Sequence, residues 1–309
     1  MENKSFVVVE SGKSKHKSRL VKAVGLLSDN TLTPANKMGV WGITATIKFN
    51  TGVTLKSSDI DFEFELPFED NLDDQEGEII VFNLSDATIK QLKANTPFTV
   101  EAGHKGDTGL IYSGLISKVS TRYEGADKVT TIKVKNKIAR VSVSEKTYTS
   151  GTFASTILKE LLDKYGVAIA KISNPMPRDH EYENDVTIGR QLRDDIKTYS
   201  EVCGVSAFIS NGKIYCCPLK EANNNDVMFD ISEETGMINS PVPFEEVDTV
   251  EKYNDTTRGF DIDMILQHRM STGTRVKLKS KQYSGTYYVK SGVHRFNPSE
   301  ATTEIKVVE

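Results

Sequence analysis

The stretch GHKGDTGLIYSGLISKV, residues 103–119, carries three evenly spaced glycines, Gly103, Gly106 and Gly109, beside a lysine and a threonine. Such a stretch is either a phosphate-binding loop or the turn between two strands. A phosphate-binding loop has the spacing G-x-x-x-x-G-K-[ST] and leads into a helix, so that backbone N–H groups face the phosphates. Here the carboxylate of Asp107 follows Gly106 and would repel phosphate, and a strand pattern comes next. The stretch therefore predicts a β-hairpin whose glycines supply the positive φ angles.

The segments around this hairpin also have the alternating pattern of strands. In DIDFEFELP, residues 59–67, apolar side chains alternate with the acidic side chains of Asp61, Glu63 and Glu65, so one face predicts core and the other a wet, acidic surface. Gly114 predicts a bulge or a tight bend in the strand after the hairpin. A short helix is expected to begin at Ser85 or Asp86. Residues 38–147 thus predict a first antiparallel barrel or sandwich with one small helix.

The middle of the chain has two helical patterns. TFASTILKELLDKYG, residues 152–166, has one apolar stripe and ends at Gly166. TIGRQLRDDIKTYSEVCG, residues 187–204, repeats the pattern, with Thr187 as the expected N-cap and Gly204 as the stop. Asn211-Gly212 then predicts a two-residue hairpin turn. Residues 148–235 are therefore interpreted as a small α+β domain.

The last part of the chain, residues 236–309, returns to strand patterns separated by turn residues and predicts a second antiparallel barrel. TGMINSPVPFEEV, residues 235–247, is interpreted as a proline-marked connection that precedes it. The predicted fold class is mainly β with an α+β insert, in which two β-barrel domains flank a small α+β domain.

The N-terminal segment, residues 1–37, carries a basic run with Lys13, Lys15, Lys17 and Arg19. It is either an arm that contacts a partner or a solvated segment. The whole chain of 309 residues has a net charge of -4, which argues against nucleic-acid binding through a global basic field. No apolar run approaches the roughly 18 residues of a membrane span, and the N-terminus has the wrong order for a signal peptide. We therefore expect synthesis in the cytoplasm and no membrane insertion.

The side chains that carry chemistry form no recognisable motif. Five histidines are scattered, and no H-E-x-x-H, C-x-x-C or G-x-S-x-G is present. Cys203 and His268 are a weak thiol-peptidase pair, because Cys203 falls at a packing position near a helix end. The adjacent Cys216 and Cys217 should point to opposite faces of a strand. The sequence thus predicts no enzyme, no cofactor and no metal.

Several phrases resemble, in chain order, the hub proteins of bacteriophage tails and related contractile injection particles. These phrases are VFNLSDATIKQLKANTPFTVEAGHKGDTGLIYSGLISKV (81–119), YTSGTFASTILKELLDKYGV (148–167), SEVCGVSAFISNGKIYCCP (200–218), TGMINSPVPFEE (235–246) and RMSTGTRVKLKSKQYSGTYYVKSGVHRFNPS (269–299). The resemblance covers roughly residues 75–309 and leaves the basic arm uncovered. His104 after Gly103 departs from the family's usual aromatic.

The resemblance implies a homotrimer in which each chain supplies two tube-like β-barrel domains. Six similar barrels would form a pseudo-sixfold ring that joins the hexameric tail tube to a trimeric spike or tip. Other baseplate proteins, and the tape-measure protein, are further implied partners in the assembled tail. The acidic strand of Asp61, Glu63 and Glu65 could then line a lumen through which DNA or an extended protein passes; a plain solvated surface is the alternative.

Two other functions are kept beside the hub. One is a carbohydrate- or receptor-binding β module of a tail tip, which an exposed aromatic cluster would favour. The other is a peptidoglycan hydrolase, for which the sequence after the second predicted barrel leaves no room. The pattern leaves open whether the tail is contractile, and whether the particle is a phage or a headless bacteriocin.

Overall fold

A computed structural model describes residues 42–73, 76–136, 145–210, 212–222, 228–250 and 253–309. The chain is mainly β with a small α+β insert, which confirms the predicted fold class. The strands are Ile43–Phe49 (β1), Thr54–Lys56 (β2), Phe62–Phe68 (β3), Glu76–Phe82 (β4), Pro97–His104 (β5), Asp107–Glu124 (β6), Asp127–Lys135 (β7), Lys146–Tyr148 (β8), Ile169–Ile172 (β9), Val186–Ile188 (β10), Ser206–Ser210 (β11), Lys213–Cys217 (β12), Phe229–Ile231 (β13), Val242–Val250 (β14), Tyr253–Ile265 (β15), Arg275–Lys279 (β16), Ser284–Phe296 (β17) and Ala301–Val308 (β18).

The helices are short, and they are Asp86–Ile89 (α1), Ala154–Tyr165 (α2), Leu192–Cys203 (α3) and Leu219–Ala222 (α4). Ser85 is the N-cap of α1, because its hydroxyl accepts a hydrogen bond from the backbone N–H of Thr88 at 3.1 Å. Helices α2 and α3 end, as predicted, at Gly166 and Gly204, both with φ of 71°.

The predicted cap of α3 is wrong. Thr187 lies in β10, opposite Thr147 of β8, and the two hydroxyl oxygens are 2.9 Å apart. The helix begins one turn later, at Leu192, with Gln191 as its N-cap. Ile188, the first apolar residue of the pattern, is buried, but it belongs to β10 and not to the helix. The apolar spacing therefore ran continuously from the strand into the helix that follows it.

The N-terminal β unit, strands β1–β7, contains the predicted hairpin. His104 pairs with Asp107 across a two-residue turn, and Gly106 has φ of 86°. The bulge predicted at Gly114 is wrong in position: β6 is irregular on either side of it, at Ile111 against β5 and at Ser117 against β7. Gly114 marks a close approach: a Cβ there would stand 2.5 Å from the carbonyl oxygen of Lys135.

The α+β unit packs its own core between the two helices and the three-stranded sheet of β9, β11 and β12. The predicted hairpin turn is confirmed by the pairing of Ser210 with Lys213. Cys216 packs into this core, whereas Cys217 packs against Phe208 and Ala222, so the adjacent cysteines do point to opposite faces.

The C-terminal β unit, strands β13–β18, surrounds a third core that includes Ile262, Met264 and Ile305. The stretch interpreted as a proline-marked connection is only partly one, because from Val242 it forms β14 and pairs with β15. Strand β13 lies within the predicted α+β range of 148–235 but pairs with β16 and contributes Phe229 and Ile231 to the third core. The predicted domain ranges 1–37, 38–147, 148–235 and 236–309 otherwise stay predictions.

The two β units have the same strand connectivity. In the N-terminal unit the ladder order is β3-β4-β7-β6-β5, and in the C-terminal unit it is β14-β15-β18-β17-β16. In each unit these five strands therefore form a hairpin followed by a three-stranded meander whose last strand pairs with the hairpin; β1, β2 and β13 lie outside this common part. The equivalence extends to the register, because equivalent residues of β6–β7 and β17–β18 lie 173 positions apart, as in Leu115 and Tyr288, the bulged Ser117 and Lys290, and the buried Ile132 and Ile305.

Hydrogen bonds repeat as well. The backbone N–H of Ile116 donates to the carbonyl of Thr96 at 3.0 Å, and that of Val289 donates to the carbonyl of Thr274 at 2.9 Å. Just before the two threonines, Asn95 and Gly273 both adopt positive φ, 66° and 81°. Two stretches with little sequence likeness therefore form one supersecondary unit twice.

One strand pair joins the two units into a single sheet. The last five residues of β17, residues 292–296, pair antiparallel with residues 64–68 of β3. Phe296 thereby leaves its own unit and packs in the hydrophobic core of the N-terminal β unit, with its ring centroid 5.2 Å from that of Phe64 and 5.5 Å from that of Phe62. We call this pairing the β17–β3 junction.

The junction also holds a buried histidine. Burial lowers the pKa of His294 to about 4, so the ring is neutral at pH 7. Its Nε2 lies 3.2 Å from the carbonyl oxygen of Met270, which can only accept, so Nε2 carries the proton. Nδ1 then accepts from the Thr303 hydroxyl at 2.9 Å. In the N-terminal unit the equivalents of His294 and Thr303 are Thr121 and Thr130, whose hydroxyl oxygens lie 3.3 Å apart.

Candidate assembly surface

The predicted acidic strand lies on the solvent face of the sheet. Asp61 and Glu65 are exposed and Glu63 is half-buried, while their neighbours in sequence face the core. The face is not purely acidic. The carboxylate of Glu65 is 3.3 Å from Nε of Arg295 across the junction, and Lys133 lies 3.0 Å from the neighbouring Glu78. The face therefore carries paired charges of both signs, and its role as a lumen lining stays a prediction.

The basic arm lies outside the described residues, as does Trp41. The contact of Lys13, Lys15, Lys17 and Arg19 with a partner therefore stays a prediction.

The side chains considered for catalysis are not brought together. Within the described ranges, no three His, Cys, Asp or Glu side chains are grouped so that they could hold a metal ion. All three cysteines are buried, and burial raises the thiol pKa to about 12 for Cys203, about 12 for Cys216 and about 11 for Cys217. Thiols with such pKa values are not nucleophiles at neutral pH.

His268 instead lines a cavity of about 400 Å³ where the α+β unit meets the two β units. Its wall mixes polar side chains such as Tyr112 and Thr272 with apolar ones such as Phe229. Burial lowers the pKa of His268 and raises that of Tyr112, so both side chains are neutral at pH 7. Among the described residues, neither Nδ1 of His268 nor the hydroxyl of Thr272 has a hydrogen-bond partner.

An ion pair that the sequence did not indicate ties the predicted hairpin to the C-terminal unit. The guanidinium of Arg269 donates two hydrogen bonds to the carboxylate of Asp107, at 2.6 and 2.8 Å. These hydrogen bonds hold the pKa of Asp107 below its usual value. Both side chains are largely shielded from solvent, so this bidentate pair counts for more than a surface salt bridge.

We expect Arg269→Ala to lower the free energy of unfolding by about 1–2 kcal/mol at pH 7. Because folding lowers the pKa of Asp107, the pair stabilises fully above the unfolded value near 4, and its contribution is lost as the pH falls through the folded value. Urea unfolding of the native chain and of Arg269→Ala from pH 7 to pH 3 checks this, since the difference in their free energies of unfolding should shrink toward acid pH. The control Lys48→Ala, which removes an exposed ion pair with Glu101, should stay within about 0.5 kcal/mol. A gap that does not depend on pH would contradict the assignment.

Among the unpaired strand edges of the described residues, two in the large sheet expose large apolar side chains. One is the outer edge of β14, which pairs only with β15 and exposes Val242 (59%) and Val247 (64%). The other is the segment 119–123 of β6, which pairs with β7 on one side after β5 has ended on the other. Unpaired edges of this length are sites at which another chain can add a strand.

Equivalent residues of the two units differ in exposure at these edges. Phe296 is 5% exposed in the β17–β3 junction, whereas Tyr123, at the equivalent place in β6, is 73% exposed. His294 is fully buried, whereas its equivalent Thr121 is exposed. Among the described residues, the same supersecondary unit is therefore covered by a strand in its C-terminal copy and lacks that strand in its N-terminal copy.

Comparison with known proteins gives matches in structure. Over 87% of this chain, the fold is similar to a tail protein from Neisseria meningitidis (TM-score 0.60, 8% identity, 97% of that chain). It is also similar to the 43 kDa tail protein of prophage MuSo2 from Shewanella oneidensis (TM-score 0.61, 8% identity, covering 87% of this chain and 98% of that one). A third match is an E. coli component of the type VI secretion system, itself described as similar to the T4 bacteriophage tail proteins gp27 and gp5 (TM-score 0.52, 7% identity, 85% of this chain and 76% of that one).

No protein-family model matches the sequence, and no curated protein matches it. No helix among the described residues is long and apolar enough to span a membrane. The similarity thus rests on the path of the backbone and extends over most of the chain. The chain has the fold of phage tail proteins and of a related type VI secretion component.

Proposed function

We propose that the chain is a structural hub of a phage tail or related injection particle. In this proposal three copies form a ring of six similar β units, which joins a hexameric tail tube to a trimeric spike or tip. The chain acts by holding these partners in register and carries out no catalysis.

The observation that carries the proposal is the duplicated β unit within one chain. A threefold ring of chains that each contain two equivalent units presents six similar surfaces, and such a ring can dock on a sixfold ring without leaving an interface unpaired. The equivalence in strand order, register, bulge position and left-handed residues supports this use of the two units. The fold shared with tail proteins supports the same setting.

The acidic strand fits the proposal as part of a lumen wall. Asp61, Glu63 and Glu65 lie on the solvent face of the continuous sheet, and this face would turn inward if the sheet closed into a ring. A face of paired charges presents no large basic field, so DNA or an extended protein could slide along it without being retained.

The mass and symmetry of the purified chain test the proposal. We expect light scattering to give three times the chain mass of 34.3 kDa, and electron-microscope class averages to show a ring with six lobes and a central hole. A monodisperse monomer at every concentration reached, also in the presence of the tube and spike proteins of the same particle, would contradict it.

A further inference from the structure

The two β units differ in the pairing of one equivalent strand segment within the described chain. In the C-terminal unit, the end of β17 is covered by β3, the first strand of the β3–β4 hairpin of the N-terminal unit. In the N-terminal unit, the equivalent segment 119–123 of β6 pairs with β7 but has no strand partner on its other edge among the described residues. The equivalent of β3, the strand that could cover it, is β14, whose outer edge likewise has no strand partner among the described residues, although helix α3 packs against the strand.

We propose that β14 of one chain pairs with residues 119–123 of β6 in a second copy, so that the β17–β3 junction is repeated between chains. This inference rests on the proposed ring, and it names the surface through which the copies meet. Each chain would use β14 to contact one neighbour and the β6 segment to contact the other, so the contact is head-to-tail. Such contacts form a closed ring when the rotation between neighbouring chains divides evenly into a full turn.

The register of the new pair follows from the register of the observed one. The pairing of β3 with β4 and of β14 with β15 makes Glu65 equivalent to Val242, since their partners Glu78 and Asp261 are themselves equivalent. In the observed junction Glu65 faces Arg295. The equivalent of Arg295 in β6 is Arg122, so Arg122 should face Val242 of the next chain.

The rest of the register follows by continuing the antiparallel pairing. The predicted opposite residues in β14 are Val119 and Glu245, Ser120 and Phe244, Thr121 and Pro243, and Arg122 and Val242. Tyr123 lies beyond the first residue of β14, opposite Pro241, which is buried in its own chain.

The side chains at these positions fit the pairing. In the observed junction Gly292 faces Phe68, and a Cβ on Gly292 would stand 2.5 Å from that ring. At the equivalent place a larger residue, Val119, would face Glu245, which carries no ring, so the crowding is absent. Prolines belong on edge strands, and Pro67 already sits inside the observed junction opposite Val293. Pro243 is equivalent to Leu66, the residue before Pro67, so the proposed pair would carry its proline one position earlier than the observed junction does.

Burial supplies the driving force. The exposed apolar side chains of the described residues include Tyr123 on one edge and Val242 on the other. Pairing would cover both, as the observed junction covers Phe296. Exposed apolar residues on two complementary bare edges are typical of an unfilled interface.

Cross-linking tests the register directly. The double variant Arg122→Cys with Val242→Cys places two thiols on opposite residues of the proposed pair, where strand spacing suits a disulfide. Both positions are exposed, so the variant should fold, and the three native cysteines are buried. The matched control is Arg122→Cys with Val247→Cys, whose second thiol is equally exposed but five residues out of register.

After mild oxidation, we expect the in-register variant to give covalent dimers and trimers on a non-reducing gel, with most of the material at the trimer. A mixture of the two single variants should stop at the dimer, and the control should give less than about a tenth of the cross-linked product. Trimers by light scattering without cross-links in register would overturn this interface and leave the hub proposal standing. Cross-links in register that continue past the trimer into open chains would support the interface and contradict the closed ring.

Discussion

Phe296→Ala should lower the free energy of unfolding by about 3–5 kcal/mol, the usual cost of removing a buried aromatic ring. The side chain is 5% exposed and stacks on Phe64 and Phe62, so its loss opens a cavity in a core that belongs to the other β unit. The variant should therefore loosen the β17–β3 junction as well as the local packing. Urea unfolding followed by circular dichroism measures the change.

The matched control is Tyr123→Ala, at the equivalent position of the N-terminal unit. Its ring is 73% exposed within one chain, so we expect its effect on the unfolding of the isolated chain to stay within about 0.5 kcal/mol. If the ring of copies forms as proposed, the same variant should weaken assembly. Equal losses of stability in dilute Phe296→Ala and Tyr123→Ala would contradict the burial of Phe296 and the exposure of Tyr123.

Gly292→Ala should destabilise the fold by about 3 kcal/mol, because the new methyl group has no room. A Cβ there would stand 2.4 Å from the carbonyl oxygen of Glu304 and 2.5 Å from the ring of Phe68. The first of these atoms is backbone in β18, so the strands themselves must move apart. Thermal unfolding should show a lower midpoint, and amides of residues 64–68 should exchange faster.

Gly189→Ala is the control for the general effect of replacing a glycine. A Cβ at Gly189 would meet nothing closer than Glu145 at 3.5 Å, and its backbone does not need positive φ. This variant should keep the native stability or gain a few tenths of a kcal/mol, because alanine restricts the unfolded chain. If Gly292→Ala is as stable as Gly189→Ala, the close strand approach at the junction is wrong.

Local patterns in the sequence predicted much of the fold. The alternation in residues 59–67 placed Phe62, Phe64 and Leu66 in the core and the three acidic residues outside, as observed. Gly166 and Gly204 end the two long helices because the backbone there is in the left-handed conformation, which glycine adopts without strain. Where a strand ran into a helix, as at Thr187, a single periodic pattern concealed the boundary.

Long-range features could not be predicted in the same way. Equivalent positions of the two units share little beyond the short runs Ile132-Lys133-Val134 and Ile305-Lys306-Val307, so the duplication is visible only in strand order and register. The ion pair between Asp107 and Arg269 joins residues 162 positions apart, so no pattern of neighbouring residues predicts it. The charges that neutralise Glu65 likewise come from Arg295, 230 positions away in the chain.

The central claim is that one strand junction, made once within the chain, is made again between chains. Hydrogen exchange measured on residues 119–123 and on residues 292–296 tests it most directly, because the two segments are equivalent in the two units. In dilute protein the amides of 119–123 should exchange much faster than those of 292–296, and in the assembled ring both segments should be protected to a similar degree. Rapid exchange at 119–123 in a ring that has assembled would contradict the account.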